Sequence, residues 1–162
     1  MKNLLAKLWR SLHLTKNAQL FIVRRLHDRF LVGVTGIILN AKNEILLVRH
    51  TYRTRDGWSL PGGYLNSREH PKEALEREVL EETGFTVSID EEMKIRTDRE
   101  SARLDLTCVG TFIGGEFQRS DEVSEAGFFA FEDLPHLPKD QILFIDRAIR
   151  ERTTNTPENK IP

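Results

Sequence analysis

Several features that define other protein classes are scarce in this sequence. The chain has one cysteine, Cys108, so an intrachain disulfide and a zinc site built from several cysteines are excluded. It has no apolar run near the roughly 18 residues that a membrane span needs. Its 10 glycines and 6 prolines are too few for a collagen-like or low-complexity chain. The 162 residues, 39% of them hydrophobic, therefore predict one globular domain, and the cysteine usage favours a cytoplasmic location.

The net charge of −1 is small, but the charges are unevenly distributed. Residues 1–30 contain seven Lys or Arg and one Asp, which leaves 17 basic and 24 acidic residues elsewhere. Helical spacing of apolar residues predicts a basic amphipathic helical arm over residues 1–29. The apolar set is Leu4, Leu5, Leu8, Trp9, Leu12, Phe21, Ile22 and Leu26. We expect the arm to pack on its own domain or on a second copy in a homodimer; the alternative is a membrane surface.

The rest of the chain alternates strand and helix patterns. Strands are predicted at 30–39, 44–48, 85–89, 104–113 and 127–131, the first two as a hairpin. Helices are predicted at 70–83 and 141–151, the second with Ile142, Ile145 and Ile149 on one side. This order predicts an α/β domain over residues 30–152, with a mixed β-sheet flanked by helices. Residues 153–162 are expected to form a disordered tail.

The first of these helices carries three glutamates on one face. At about 100° per residue, Glu81 and Glu82 lie about 60° and 40° to either side of Glu78. Three anions this close repel one another, and a divalent cation would offset the repulsion. Oxygen-only ligands suit Mg²⁺, with Mn²⁺ as the alternative. The other interpretation is a solvated surface helix with ordinary ion pairs. Ala74, one turn below Glu78, is expected to leave room beside the acids.

The residues around this helix resemble the Nudix box at every position. The pattern reads Gly63-x5-Glu69-x7-Arg77-Glu78-Val79-x-Glu81-Glu82-x-Gly84-Phe85. The flanking residues 32–135 also look like the family of Nudix, or MutT-like, hydrolases. The resemblance implies a Nudix-like α/β/α sandwich and a pyrophosphatase. Its reaction would be hydrolysis of a phosphoanhydride bond in a nucleoside diphosphate linked to another group, X.

The resemblance also implies residue roles. Glu78 and Glu82 would be the central metal ligands, with Glu81 a further ligand or a nearby base. The carbonyl of Gly62 would complete the metal site. Arg77 would orient a glutamate rather than touch the substrate.

Three further motif residues would be structural. Glu69 would support the loop-to-helix turn. Gly63 would permit a tight turn, and Gly84 would end the helix.

Other candidates lie outside the box. Glu122 and Glu125 are candidate catalytic bases, with surface charges as the alternative. The candidates for holding phosphates or stacking on a base are Arg49, Arg53, Arg55 and Tyr64. We expect Trp58 to belong to the core, and His50 and His70 to be solvated surface residues.

The substrate is less well defined than the family. The proline of the ADP-ribose subfamily has no counterpart, because no proline lies between Pro71 and Pro135. Nucleoside triphosphates and nucleotide sugars or alcohols are favoured. The alternatives are RNA 5′-end pyrophosphohydrolysis and a non-catalytic nucleotide-sensing module. We expect a small nucleotide partner, and neither DNA nor a membrane span.

Overall fold

The computed structural model describes residues 15–26, 30–52, 57–98 and 100–155, without the side chains of 91–93 and 153–155. The chain divides into two units, residues 1–30 and 31–162. In the first unit, helix α1 (Lys16–Leu26) is amphipathic and buries none of its side chains. The remainder of the arm, residues 1–14 and 27–29, lies outside the described residues, so the packing of the arm stays a prediction. Within the described ranges, no helix is both long and apolar enough to cross a membrane.

The second unit is built on one mixed sheet, which has seven strands in the part of the chain that the structure describes. They are β1 (Leu31–Leu39), β2 (Ile45–His50), β3 (Trp58–Ser59), β4 (Gly62–Tyr64), β5 (Thr86–Asp98), β6 (Arg103–Gly114) and β7 (Val123–Phe129). The order is β3-β2-β1-β6-β5, with β4 beside β1 and β7 beside β2. β1 and β6 run parallel over nine residue pairs, and the other pairs are antiparallel.

Helices α2 (Pro71–Thr83) and α3 (Lys139–Asn155) cover opposite faces of this sheet. Successive strand residues point to opposite faces, so β1 contributes to two separate cores. Val34 and Ile38 pack in the same cluster as Leu75 of α2. Ile37 and Leu39 pack in the cluster of Ile145 of α3. The predicted α/β/α sandwich with a mixed sheet is confirmed.

The predicted hairpin of the first two strands is only partly formed. β1 and β2 pair only at Leu39 and Ile45, and β2 then pairs with β3 and β7. The reason is that β4 occupies the edge of β1 at residues Gly33 to Thr35.

Two other boundaries differ from the predictions. Strand β5 continues to Asp98 through an irregularity after Ile89, where the acidic residues 90–92 interrupt the apolar alternation. Helix α3 begins at Lys139 and continues to Asn155, so the first three residues of the predicted tail are helical. On α3, Ile145 and Ala148 are buried, whereas Ile142 is 37% exposed.

Candidate active site

Local sequence determines both ends of helix α2. His70 is the N-cap: its Nδ1 accepts a hydrogen bond from the backbone N–H of Lys72, and Glu73 accepts one from the backbone N–H of His70. Pro71 occupies the first turn, where its missing N–H costs nothing. Gly84 ends the helix with φ at 76°, a left-handed conformation that favours glycine. His70, predicted to be simply solvated, therefore has a capping contact.

The inward face of α2 contains a buried carboxylate. The helix buries Ala74, Leu75, Val79 and Thr83, and with them Glu82, which is only 6% exposed. With Glu78 at zero and about 100° per residue, these residues span roughly −40° to 140°, and Glu82 lies near the middle at about 40°. A carboxylate in that position costs stability unless it is bound or paired. The predicted open space beside Ala74 is wrong, because Ala74 is fully buried in the core.

Glu78 lies within this arc and directly against strand β4. A Cβ atom at Gly63 would lie 2.2 Å from Cδ of Glu78, and a Cβ at Gly62 would lie 2.1 Å from the carbonyl oxygen of Val34. Gly62 and Gly63 must therefore be glycines, because neighbouring atoms lie too close to leave room for a side chain. Gly63 was predicted to permit a tight turn, but it belongs to an extended strand. The close approach of Glu78, not a turn, is the reason for glycine at this position.

Arg77 connects the helix to the loop that precedes it. Its Nε lies 2.7 Å from Oε1 of Glu69, and its terminal nitrogen donates to the carbonyl of Tyr64 at 3.3 Å. Oε2 of Glu69 also accepts the backbone N–H of Asn66. The hydrogen bond with Glu69 is the main reason that the pKa of Arg77 is raised, and the same bond lowers the pKa of Glu69.

Arg77 also holds two of the three glutamates on the helix. Its Nη1 contacts Oε1 of Glu78 at 2.9 Å and Oε2 of Glu81 at 3.0 Å. The side chain of Glu78 is 18% exposed, whereas that of Glu81 is 61% exposed. The structure therefore places Glu78 and Glu82 on the inward side and turns Glu81 toward solvent.

This arrangement is not a closed metal site. Among the described residues, no three His, Cys, Asp or Glu side chains converge on a point where they could hold a metal ion. The donors that the helix does present are carboxylate oxygens one turn apart, which suit a hard divalent cation. Glu81, the third glutamate, is more exposed than Glu78 and also contacts Arg77.

The candidates outside the helix form a pair of their own. Arg49 on β2 and Glu125 on β7 are cross-strand neighbours whose side chains form an ion pair at 2.9 Å, each about half exposed. Glu122 is exposed in the segment before β7, and Tyr64 is half exposed on β4. Arg53 and Arg55 lie outside the described residues.

Trp58 and His50 both pack against other aromatic side chains. Trp58 packs edge-on against Phe129 at the margin of the α3-side core, as expected for a core residue. His50 is 6% exposed, with its ring 5.1 Å from that of Tyr52. The expectation that His50 is a solvated surface residue is therefore wrong.

Sequence reasoning missed a polar cleft on the α3 face of the sheet. It has a volume of about 110 Å³ and lies between β1, β5 and β6 on one side and the first turns of α3 on the other. The sequence of β6 contained an indication of this cleft, because polar and apolar residues alternate along the strand. Arg103, Asp105 and Thr107 line the cleft. Leu104, Leu106 and Cys108 point into the core on the other face. A polar strand face beneath a helix is unusual, because that face is normally apolar.

Comparisons with known proteins agree with this architecture. The family model described as NUDIX domain matches residues 29–151. An ADP-ribose pyrophosphatase of Methanocaldococcus jannaschii is 32% identical over 131 residues, covering 78% of this chain and 77% of that protein. An RNA pyrophosphohydrolase of Ectopseudomonas mendocina is 40% identical over 58 residues, which cover 36% of this chain and 35% of that protein.

Among solved structures, a UDP-X diphosphatase superposes with a TM-score of 0.68 at 23% identity, covering 93% of this chain and 79% of that one. This structural similarity shows that the two chains share a fold. With the intact Nudix box at residues 63–85, these matches show that the chain belongs to the Nudix family of hydrolases.

Proposed function

We propose that this Nudix hydrolase cleaves the phosphoanhydride bond of a nucleoside diphosphate linked to a second group, X, using a divalent cation bound by Glu78 and Glu82. The observation that carries the proposal is the buried carboxylate of Glu82 in the middle of the inward face of α2. A structural helix would place an apolar residue there. The relative named ADP-ribose pyrophosphatase, similar over most of both chains, supports this reaction class.

The residues present fit a divalent metal, which enzymes of this family generally use. Glu78, Glu82 and the carbonyl of Gly62 offer only oxygen, so Mg²⁺ is the ion we propose, with Mn²⁺ as the alternative. When bound, the cation would screen the charge of the polyphosphate and lower the pKa of a bound water.

The neighbouring side chains would orient these ligands. Arg77 is a positioning residue, because it contacts Glu78 while Glu69 and the carbonyl of Tyr64 fix its own guanidinium. Glu81 is our proposed base, because it is on the same helical turn as Glu78 and is exposed to solvent. Glu122 and Glu125 are the remaining alternatives; Glu125 is ion-paired with Arg49, as Glu81 is with Arg77.

The range of substrates should include ADP-ribose. The absence of the proline that marks the ADP-ribose subfamily argued against this substrate. However, a relative named ADP-ribose pyrophosphatase is 32% identical over 131 residues. The second candidate, RNA 5′-end pyrophosphohydrolysis, is favoured by the shorter match to an RNA pyrophosphohydrolase.

The test is a substrate panel of ADP-ribose, UDP-glucose, ATP and 5′-triphosphorylated RNA, each with Mg²⁺, with Mn²⁺ and with excess chelator. We expect two monophosphate products from a nucleotide sugar, identified by mass, and no turnover in chelator. The Glu78→Gln/Glu82→Gln double variant is the control for contaminating hydrolases. Absence of turnover on every compound with both metals, or full turnover in chelator, would contradict the proposal.

A further inference from the structure

Few polar side chains are buried in the described part of the chain: His50, Ser59, Glu82 and Thr83. The hydroxyl of Thr83 is fully used, because it donates to the carbonyl of Val79 at 2.6 Å and accepts the N–H of Phe85 at 3.1 Å. Ser59 differs from it. Its side chain is only 2% exposed, and its Oγ forms no hydrogen bond with any described residue. A buried hydroxyl in this state costs stability, so its presence at this position needs an explanation.

The side chain of Ser59 points to the face of the sheet that α2 covers. Its two chain neighbours, Trp58 and Leu60, both belong to the core on the α3 face. Successive residues of an extended chain point to opposite faces, so Ser59 points away from that core. The strand pairing agrees with this direction, because Ser59 is opposite Val48 of β2. Leu46, two residues before Val48 and therefore on the same face, packs in the cluster under α2.

The chain around Ser59 forms an arch that fills the gap between β1 and β2. Strand β3 runs antiparallel to β2, and β4 runs antiparallel to β1. Since β1 and β2 are themselves antiparallel, the chain must reverse between β3 and β4, at a tip formed by Leu60 and Pro61. The carbonyl of Pro61 accepts the N–H of Gly36 at 2.9 Å, which fixes the tip to β1. Ser59 and Gly62, whose carbonyl is a proposed metal ligand, therefore flank this tip.

Glu82 faces the same part of the sheet from the helix. Leu75, at about 60° on the helix, packs on β1, where a Cβ at Gly36 would lie 3.0 Å from its Cδ2. Glu78, at zero, packs on Gly63 of β4. Glu82, at about 40°, points between these two directions, and its side chain leans back toward the start of the helix. The carboxylate of Glu82 and the hydroxyl beside the tip therefore lie in one buried layer between α2 and the sheet.

The chemistry of the two groups is complementary. A carboxylate only accepts hydrogen bonds, whereas a hydroxyl can donate one. A carboxylate that binds a metal is usually held in place by a hydrogen bond from a neighbouring group. Arg77 does this for Glu78. We propose that Ser59 is a positioning residue whose hydroxyl donates to the carboxylate of Glu82 and orients it for a divalent cation; this rests on the proposed function, in which Glu78 and Glu82 bind that cation.

The first experiment measures binding of the metal alone, without substrate or turnover. The full chain is titrated with Mn²⁺, and the free ion is measured by electron paramagnetic resonance. We expect Ser59→Ala to bind Mn²⁺ about tenfold more weakly than the wild type. Ser59→Cys should be weakened as well, because a thiol has a similar size but is a poor donor. Ser88→Ala, which changes an exposed serine of β5, is the matched control and should bind like the wild type.

The second experiment separates this role from a merely structural one. Without metal, Ser59→Ala should melt close to the wild-type temperature, because the substitution removes no hydrogen bond of the described structure. A cation that binds the folded state raises the melting temperature according to its affinity. At the same Mg²⁺ concentration, we therefore expect a smaller rise for Ser59→Ala than for the wild type. A lower melting temperature without metal, combined with an unchanged rise, would assign Ser59 a packing role and overturn the inference.

The outcomes also separate the inference from the proposed function. If the wild type binds no Mn²⁺, or binds it no better than the Glu78→Gln/Glu82→Gln double variant, the proposed metal site is wrong and the role of Ser59 fails with it. If the double variant loses Mn²⁺ while Ser59→Ala keeps wild-type affinity, the metal site stands and the inference is wrong. Loss of affinity in Ser59→Ala but not in Ser59→Cys would also overturn it, because side-chain volume rather than the hydroxyl would then be the cause.

Discussion

At the scale of single residues, the main feature is the carboxylate of Glu82, which lies at a buried helix position that is normally apolar. The sequence predicted that Glu78 and Glu82 share a face of the helix. The spacing did not predict that Glu82 would lie within the buried arc, because helical periodicity gives angles between residues but not the depth at which each meets the sheet. The polar cleft on the α3 face was missed for the same reason, since polar strand and helix residues resemble exposed positions in the sequence.

Neutralising either inward glutamate should remove turnover without unfolding the protein. Glu78→Gln and Glu82→Gln keep the shape of the side chain but lose the charge that would hold a cation, so we expect kcat to fall at least about a hundredfold. Because the amide keeps the volume of the carboxylate side chain, both variants should remain folded. Measurements are kcat at saturating substrate and the thermal midpoint by circular dichroism. The exposed Glu132→Gln is the control, and near wild-type turnover of either variant would refute the assignment.

A methyl group at Gly63 should displace Glu78. The added Cβ would lie 2.2 Å from the carboxylate carbon, so the side chain of Glu78 must leave its position against β4. We expect Gly63→Ala to reduce kcat by about tenfold or more, since misplacing a ligand by about 1 Å is costly. The matched control is Gly114→Ala, because a Cβ at Gly114 meets nothing within 4 Å. Equal kcat values for the two variants would argue against a role for this close approach.

At the scale of elements, prediction succeeded where local chemistry determines the structure. Helix α2 was predicted over residues 70–83 with a proline in its first turn and a glycine at its end, and it spans Pro71–Thr83. Strand β5 was predicted too short, because residues 90–92 are acidic and only its pairing with β6 keeps the chain extended there. The β1–β2 hairpin was predicted too long, because a non-local strand, β4, competes for the same edge. Non-local pairing is not visible in local sequence patterns.

The contact between Glu69 and Arg77, which joins the loop to α2, should make the fold sensitive to acid. The pKa of Glu69 is lowered in the folded protein, chiefly by its hydrogen bond with Arg77. A lowered pKa stabilises the fold above the unfolded value, about 4.3, and this stabilisation is lost as pH falls through the lower folded value. We therefore expect the melting temperature of Glu69→Gln to fall less steeply than that of the wild type between about pH 5 and 3. Glu132→Gln should keep the wild-type slope; a Glu69→Gln slope identical to it would contradict the prediction.

At the scale of the whole molecule, charge separates the chain into two parts. Residues 1–30 hold seven basic residues and one acidic residue, while the remainder is acidic. The described helix of the arm, α1, exposes Leu20, Phe21, Val23 and Leu26. Exposed apolar side chains in this number favour a packing partner in solution, whereas the basic side chains can remain in water and attract an anionic substrate. The arm is therefore the part of the chain whose role depends on a packing partner.

Removing the arm should affect stability or solubility first and KM second. We expect a variant that begins at residue 30 to melt at a lower temperature or to precipitate earlier, because the surface that the arm covers, on its own domain or on a second copy, becomes exposed. Light scattering of the full chain and of the variant distinguishes those two partners. KM for an anionic substrate should rise in the variant, and the difference should shrink at high salt as the charge of the arm is screened. If the variant melts at the wild-type temperature while the full chain binds anionic vesicles at physiological salt, the arm acts on a membrane surface and the packing prediction is wrong.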